Sequence, residues 1–314
     1  MMARKPSSLH KATLVAADTQ PPKRFTPLFN DVFLKIFGSA DSEPVTKPLL
    51  NAVLRIAGIP EIEHVERITA DASLPGGIEC KTARLDVVVF SDDGRLFDLE
   101  AQRQKVDIGS RSIFYASKLI VENTPKGPRH NYSDIPQVVV VVLLEGNTMF
   151  PDNDQFVTSA RMRWDAPSLA DSGPDNITLV VVELDKVRAR YNIGNLKDVL
   201  ADESLAWLYL LANGYKNPEE MGKMSESFPT MEEFAERYGI AIGDPELKRA
   251  YDAWWMSEME YNSIVDYAQK EGLAKGVEQG VRQGIEQGIE QSIAALRAAG
   301  LHDAADLLEQ KRNQ

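Results

Sequence analysis

The sequence predicts an α/β protein, a mixed β-sheet core flanked by helices, with a helical C-terminal extension. Three observations carry this prediction. A strand-turn-strand pattern over 84–102, a helical stretch near 109–122 and the apolar run Val138–Leu144 together make a β-hairpin and a βαβ unit. Beyond Leu196 the apolar spacing is helical. Near the end of the chain glycine recurs at every fourth position. With 314 residues, 43% of them hydrophobic and 26% charged, the chain is long enough for one large domain with appendages and is not disordered as a whole.

Residues 1–24 are rich in Ser, Thr, Ala, Lys and Pro, lack apolar periodicity and end at Pro21-Pro22, so they read as a disordered leader. Apolar residues at 29, 32, 33, 36 and 37 predict a first helix that stops at Gly38, and a second helix is expected over 43–57, stopping at Gly58. The stretch Arg84–Phe90 is rich in β-branched residues, and Leu96–Gln102 alternates. Between them Asp92-Asp93-Gly94 reads as a three-residue hairpin loop, with glycine in the left-handed position that costs it nothing sterically.

That loop sets the register. Residues 91 and 95 close it, paired numbers sum to 186, and Asp86 falls opposite Glu100. Phe97, Leu99 and Ala101 then point one way and Asp98, Glu100 and Gln102 the other. The helix from about Gly109 to Glu122 shows Ile113, Phe114, Leu119 and Ile120 as a partly apolar stripe. Val138–Leu144, apolar throughout, reads as a strand buried on both faces and parallel to the Glu100 strand through a right-handed crossover. Two further strands are expected near 156–164 and 177–184, which completes a core over 25–195.

A helical region over 196–270 follows, with helices expected at 196–212, 230–238 and 245–270. In the tail, 271–314, Gly272, Gly276, Gly280, Gly284 and Gly288 interleave with Leu273, Val277, Val281, Ile285, Ile289 and Ile293. Each glycine costs a lone helix roughly 1 kcal/mol against alanine, so the pattern predicts close packing on a partner helix and a homo-oligomer formed through 271–300.

Composition excludes several classes of function. The longest apolar run falls far short of the roughly 20 residues that span a bilayer, and no signal-peptide core follows the first basic residues, so the reading is a cytoplasmic protein with no membrane segment. Cys80, the one cysteine, has no nearby histidine to activate it and is read as structural; His10, His64, His130 and His302 lack zinc-ligand spacing. A net charge of −12 argues against nucleic acid binding over the whole surface. Between 102 and 130, however, Arg103, Lys105, Arg111, Lys118, Lys126 and Arg129 face only Asp107 and Glu122.

Two carboxylates on adjacent strands, with Cβ atoms about 5 Å apart, repel unless a cation or a proton sits between them. One reading is a Mg²⁺ site at Asp86 and Glu100, with Gln102 placed to orient a water for attack on a phosphate. The other makes Asp86, Asp98 and Glu100 the solvated face of the hairpin. Asp31 has two readings as well, a site acid or a residue favoured by the helix dipole. Arg111 and Tyr115, one helical turn apart, either contact phosphate or brace the sheet.

The order Asp31 on a first helix, Leu85-Asp86-Val87 on a strand, Glu100-Ala101-Gln102 on the next and Arg111-x3-Tyr115 on a helix resembles the PD-(D/E)XK nuclease superfamily. More narrowly it is similar to a recombination-promoting nuclease and transposase family, whose tail also carries glycine at every fourth position; the likeness covers about 25–300 and is strongest over 27–145. The resemblance implies a restriction-endonuclease-like fold and Mg²⁺- or Mn²⁺-dependent DNA endonuclease activity linked to recombination or mobile elements. It makes Asp86 and Glu100 the metal ligands, Asp31 an additional acid, and Arg111, Tyr115 and Lys118 nucleic acid contacts. Gln102 stands where the superfamily usually has lysine, a neutral group in place of a cation, with Lys81 or Lys118 as candidates for the missing charge. The alternative is a catalytically weak or inactive DNA- or protein-binding module that assembles through its C-terminal helix.

Overall fold

The structure, a computed structural model, describes residues 26–74, 83–103, 107–127, 129–164, 175–191 and 196–312. The leader, Cys80, Lys81 and Lys105 lie outside the described residues. Contacts divide the chain into two compact units, Met1–Lys248 and Arg249–Gln314.

The first unit holds a mixed sheet. Its six described strands are β1 (Val65–Leu74), β2 (Ala83–Ser91), β3 (Leu96–Gln102), β4 (Val138–Leu144), β5 (Val157–Arg161) and β6 (Ile177–Glu183), in the order β1-β2-β3-β4-β6-β5. The hairpin forms as its glycine dictates: Gly94 has φ 83°, and the Ser91 N–H donates to the Arg95 carbonyl at 3.0 Å. Val87 pairs with Leu99, Val88 with Asp98 and Val89 with Phe97, which is the register summing to 186. β3 runs parallel to β4 and β4 parallel to β6, with Glu100, Val142 and Val181 in one row across the three strands.

Every residue of β4 is buried, so both faces of the sheet need a cover. On one face α1 (Asn30–Phe37) ends at Gly38, where a Cβ would come within 2.6 Å of the Ala70 Cβ on β1, and this close approach requires glycine. On the other lies α3 (Ile108–Asn123), capped by Asp107, whose carboxylate accepts from the Ser110 N–H. α3 rests on Leu85, Val88, Val140, Val142 and Val181 through Ile108, Ala116 and Leu119. The expected stripe is thus rotated: Ile113 is 58% exposed, while small Ser112 and Ala116 are buried and let the helix approach the strands. β1 escaped the sequence pattern because Glu66, Arg67 and Asp71 interrupt its apolar residues, as an edge strand allows.

The helices α2 (Glu43–Ile56), α4 (Leu184–Arg190), α5 (Glu203–Ala212), α6 (Pro218–Ser227) and α7 (Glu232–Gly243) complete this unit. α5 is buried over Ser204–Ala212 and packs on α2 and α4. From Pro245 the chain continues as α8, helical to Ala298, and returns at Gly300 (φ 78°) into α9 (His302–Arg312). Within the second unit Ile293 and Ala305 are buried, and Arg297 pairs with Glu309 at 2.6 Å. A Cβ at any of Gly272, Gly276, Gly280, Gly284 or Gly288 would meet nothing within 4 Å, and Leu273, Val277, Val281 and Ile285 are exposed. No described helix is long and apolar enough to cross a membrane.

Candidate active site

The β2–β3 ladder ends at the Val87–Leu99 pair, and side chains take over one step further. The Asp86 N–H donates to Glu100 Oε1 at 3.1 Å, and the Ala101 N–H donates to Asp86 Oδ2 at 2.9 Å. Each carboxylate thereby accepts a backbone donor of the opposite strand, which holds the two acids side by side and leaves those donors satisfied. Asp86 is half-buried and Glu100 buried.

Such a pair is electrostatically unfavourable. Burial, and then the charge of Asp86, push the Glu100 carboxyl up from 4.5 to about 7. Asp98, on the same face, is fully buried, and among the described residues no N–H group donates to either of its oxygens. Burial first, then the Glu100 and Asp86 charges, push it well above the ordinary carboxylate range; beside Glu100 it can only share a proton. For Asp98 and Glu100 the reading as a solvated hairpin face is therefore overturned, while Asp86 is half-buried. Asp98 pairs in register with Val140 of the fully buried β4, and α3 covers that face.

Arg111 reaches in from the first turns of α3, its Nη2 3.4 Å from Glu100 Oε2 and its guanidinium 4.9 Å above the Tyr115 ring. Glu100, Gln102, Ile108, Arg111, Ser112, Tyr115 and Val142 line one narrow recess. Burial, then the Glu100 charge, raise the Tyr115 hydroxyl. Five of the residues singled out from sequence, Asp86, Glu100, Gln102, Arg111 and Tyr115, thus gather at one end of the hairpin.

The other two lie elsewhere. Lys118 is two turns further along α3, with its ammonium 5.9 Å from the Phe114 ring, and does not line the recess. Asp31 is exposed in the first turn of α1, where Asn30 donates to it at 3.4 Å; among the described residues no hydrogen bond or ion pair joins it to the Asp86–Glu100 pair. Two acids escaped the sequence reading of the site. One is Asp98, taken there only for part of a solvated face. The other is Asp71, whose place between the pairs Ala70–Val87 and Ala72–Leu85 sets it opposite Asp86. It has φ 49°, the one positive φ of a non-glycine residue among those described, a conformation that costs about 1–3 kcal/mol.

Among the described residues no three His, Cys, Asp or Glu side chains converge into a metal cage. Two hard oxygen donors, held together against their mutual repulsion, nonetheless fit Mg²⁺, which takes one or two carboxylates and keeps several waters.

A family model described as PD-(D/E)XK nuclease family transposase matches residues 28–268. The chain belongs to this family. No curated protein and no solved structure matches. The six-stranded mixed sheet flanked by helices is consistent with the restriction-endonuclease-like fold, and membership supports a nuclease- or transposase-like role. PD-(D/E)XK nucleases generally use divalent metal ions, in keeping with the oxygen donors at the end of the hairpin.

Proposed function

We propose that the protein is a divalent-metal-dependent endonuclease that hydrolyses DNA phosphodiester bonds in the cytoplasm, in the service of recombination or mobile elements. The observation that carries this reading is the reciprocal bonding of Asp86 and Glu100 to the backbone of the opposite strand. Asp86 and Glu100 would hold Mg²⁺ or Mn²⁺; when bound, the metal supplies a Lewis acid and lowers the pKa of water at the phosphate. Glu100 gives up its proton to take part, and Gln102, on the same face, orients the attacking water through its amide. Tyr115 and Lys118 contact phosphate along α3, and Asp31 is an additional acid on α1.

Purified protein is expected to nick supercoiled plasmid in Mg²⁺ or Mn²⁺. Asp86→Asn should lower the rate about 1,000-fold, on the scale of removing a group that stabilises transition-state charge. Equal cleavage by a folded Asp86→Asn variant would refute the assignment. A second reading, a binding module that has lost the reaction, is favoured by neutral Gln102; it predicts no cleavage and DNA binding that survives Asp86→Asn.

We also propose that 271–300 joins copies of this chain, because its exposed apolar row and its open glycines leave a helix face without cover among the described residues. Deleting 271–314 should give a monomer by light scattering that still cuts DNA. A deletion variant that keeps the mass of the full-length assembly would exclude this segment as the joint.

A further inference from the structure

We infer that Arg111, reaching in from α3, supplies the positive charge at the reacting phosphate that neutral Gln102 does not. This rests on the metal-nuclease reading above and names the cation of that site. Three cations compete for the role among the described residues nearby. Arg103 follows Gln102 directly, but its Nε pairs with Glu145 Oε2 at 3.2 Å. Lys118 lies over Phe114, outside the recess. Arg111 lines the recess together with Glu100 and Gln102, and its Nη2 is 3.4 Å from the Glu100 carboxylate.

The manner in which Arg111 is held suits the task. A charge-assisted N–H···O bond settles near 2.7–2.9 Å, so the longer contact to Glu100 leaves the guanidinium loosely engaged. Its side chain is 40% exposed against 5% for Glu100, so it forms the solvent-facing lip above the buried acid. The guanidinium carbon stands 4.9 Å from the centre of the Tyr115 ring, a cation–π contact that steadies the side chain. In the hydrolysis the water oxygen forms a bond to phosphorus, the bond from phosphorus to the leaving oxygen breaks, and the proton that water loses is balanced by the one the leaving oxygen takes up. Negative charge meanwhile grows on the non-bridging oxygens. Arg111 donates hydrogen bonds to those oxygens.

The test compares wild type, Arg111→Gln, Arg111→Lys and the double variant Arg111→Gln/Gln102→Lys. Cleavage of plasmid in Mg²⁺ is read as kcat and KM, and Mn²⁺ affinity of DNA-free protein is read by calorimetry. Arg111→Gln is expected to lower kcat roughly 100–1,000-fold, with KM changed only a few-fold. It should also tighten Mn²⁺ binding several-fold, because a like charge beside Glu100 is gone. Lysine at 102 should restore at least about tenfold of the lost kcat, as only a returned charge can. A loss confined to KM with unchanged Mn²⁺ affinity would make Arg111 a DNA anchor and overturn the inference. If wild type cuts no DNA, the nuclease reading fails by itself. The role of Arg111 at the phosphate then falls with it, whereas cleavage by wild type with kcat unchanged in Arg111→Gln overturns the inference and leaves the nuclease reading standing.

Discussion

Glu100→Gln is expected to abolish cleavage, by about 1,000-fold or more, and at the same time to make the metal-free protein more stable at pH 7.5. The two effects have one cause. Glu100 is buried beside Asp86 and Asp98, and its carboxyl stands at about 7 against 4.5 in a free chain. At pH 7.5 Glu100 is mostly ionised in the folded state although burial disfavours that charge, a cost of up to about 3 kcal/mol relative to the unfolded chain. Glutamine keeps the oxygen that accepts the Asp86 N–H but never ionises, so this cost disappears. A rise of several degrees in melting temperature should therefore accompany the loss of activity. A structural glutamate, fully paid back by the Arg111 contact, would behave oppositely: its removal would lower the melting temperature and leave cleavage in place. Thermal unfolding of both proteins in EDTA separates the two.

What was legible in the sequence was whatever one residue type decides locally. Gly94 fixed the loop, the loop fixed the register, and the register put Asp86 and Glu100 at neighbouring positions. Val138–Leu144 could only be a strand covered on both faces. Features decided by the neighbours of an element were hidden. β1 mixes charges with alanines because an edge strand tolerates both, so its pattern resembles a loop and Asp71 went with it. Asp98 alternates as a solvent-facing residue does; only the placement of α3 over β4 and β2 buries it. The buried side of α3 was legible only in part: Leu119 is buried and Ile120 packs on the core as expected, but Ile113 is exposed and the small residues Ser112 and Ala116, whose signal is weak, let the helix settle close to the sheet. Arg111 was legible as a cation one helical turn from Tyr115, but its closeness to Glu100 came from the tertiary path of α3.

The acid cluster also dictates how stability follows pH and metal. Glu100 and Asp98 both have folded values above their unfolded ones, so the folded state binds more protons. Their contributions are fully present below the unfolded values, about 4.5 for Glu100 and 3.8 for Asp98, and are lost as pH rises, through about 7 for Glu100, with Asp98 adding to the loss. The carboxyls with depressed values, Asp41, Asp93, Asp134 and Asp244 among them, act in the opposite sense, but they titrate below their ordinary 3.8 and leave the window above pH 5 unaffected. Metal-free protein should accordingly lose roughly 2–3 kcal/mol of stability between pH 5 and 8 through Glu100 alone. Asp98→Asn, which replaces a buried acid that itself adds to the fall by an amide that never ionises, should make that fall shallower. A divalent cation takes the place of the proton between Asp86 and Glu100, so Mn²⁺ at a hundredfold excess over its Kd should restore about 2.7 kcal/mol at pH 8 and little at pH 5, where protons hold the site. Asp86→Asn should remove most of this gain. Melting curves at pH 5, 6.5 and 8, with EDTA or Mn²⁺, test all three dependences; a gain from Mn²⁺ equal at every pH, or unchanged in Asp86→Asn, would place the metal away from this pair.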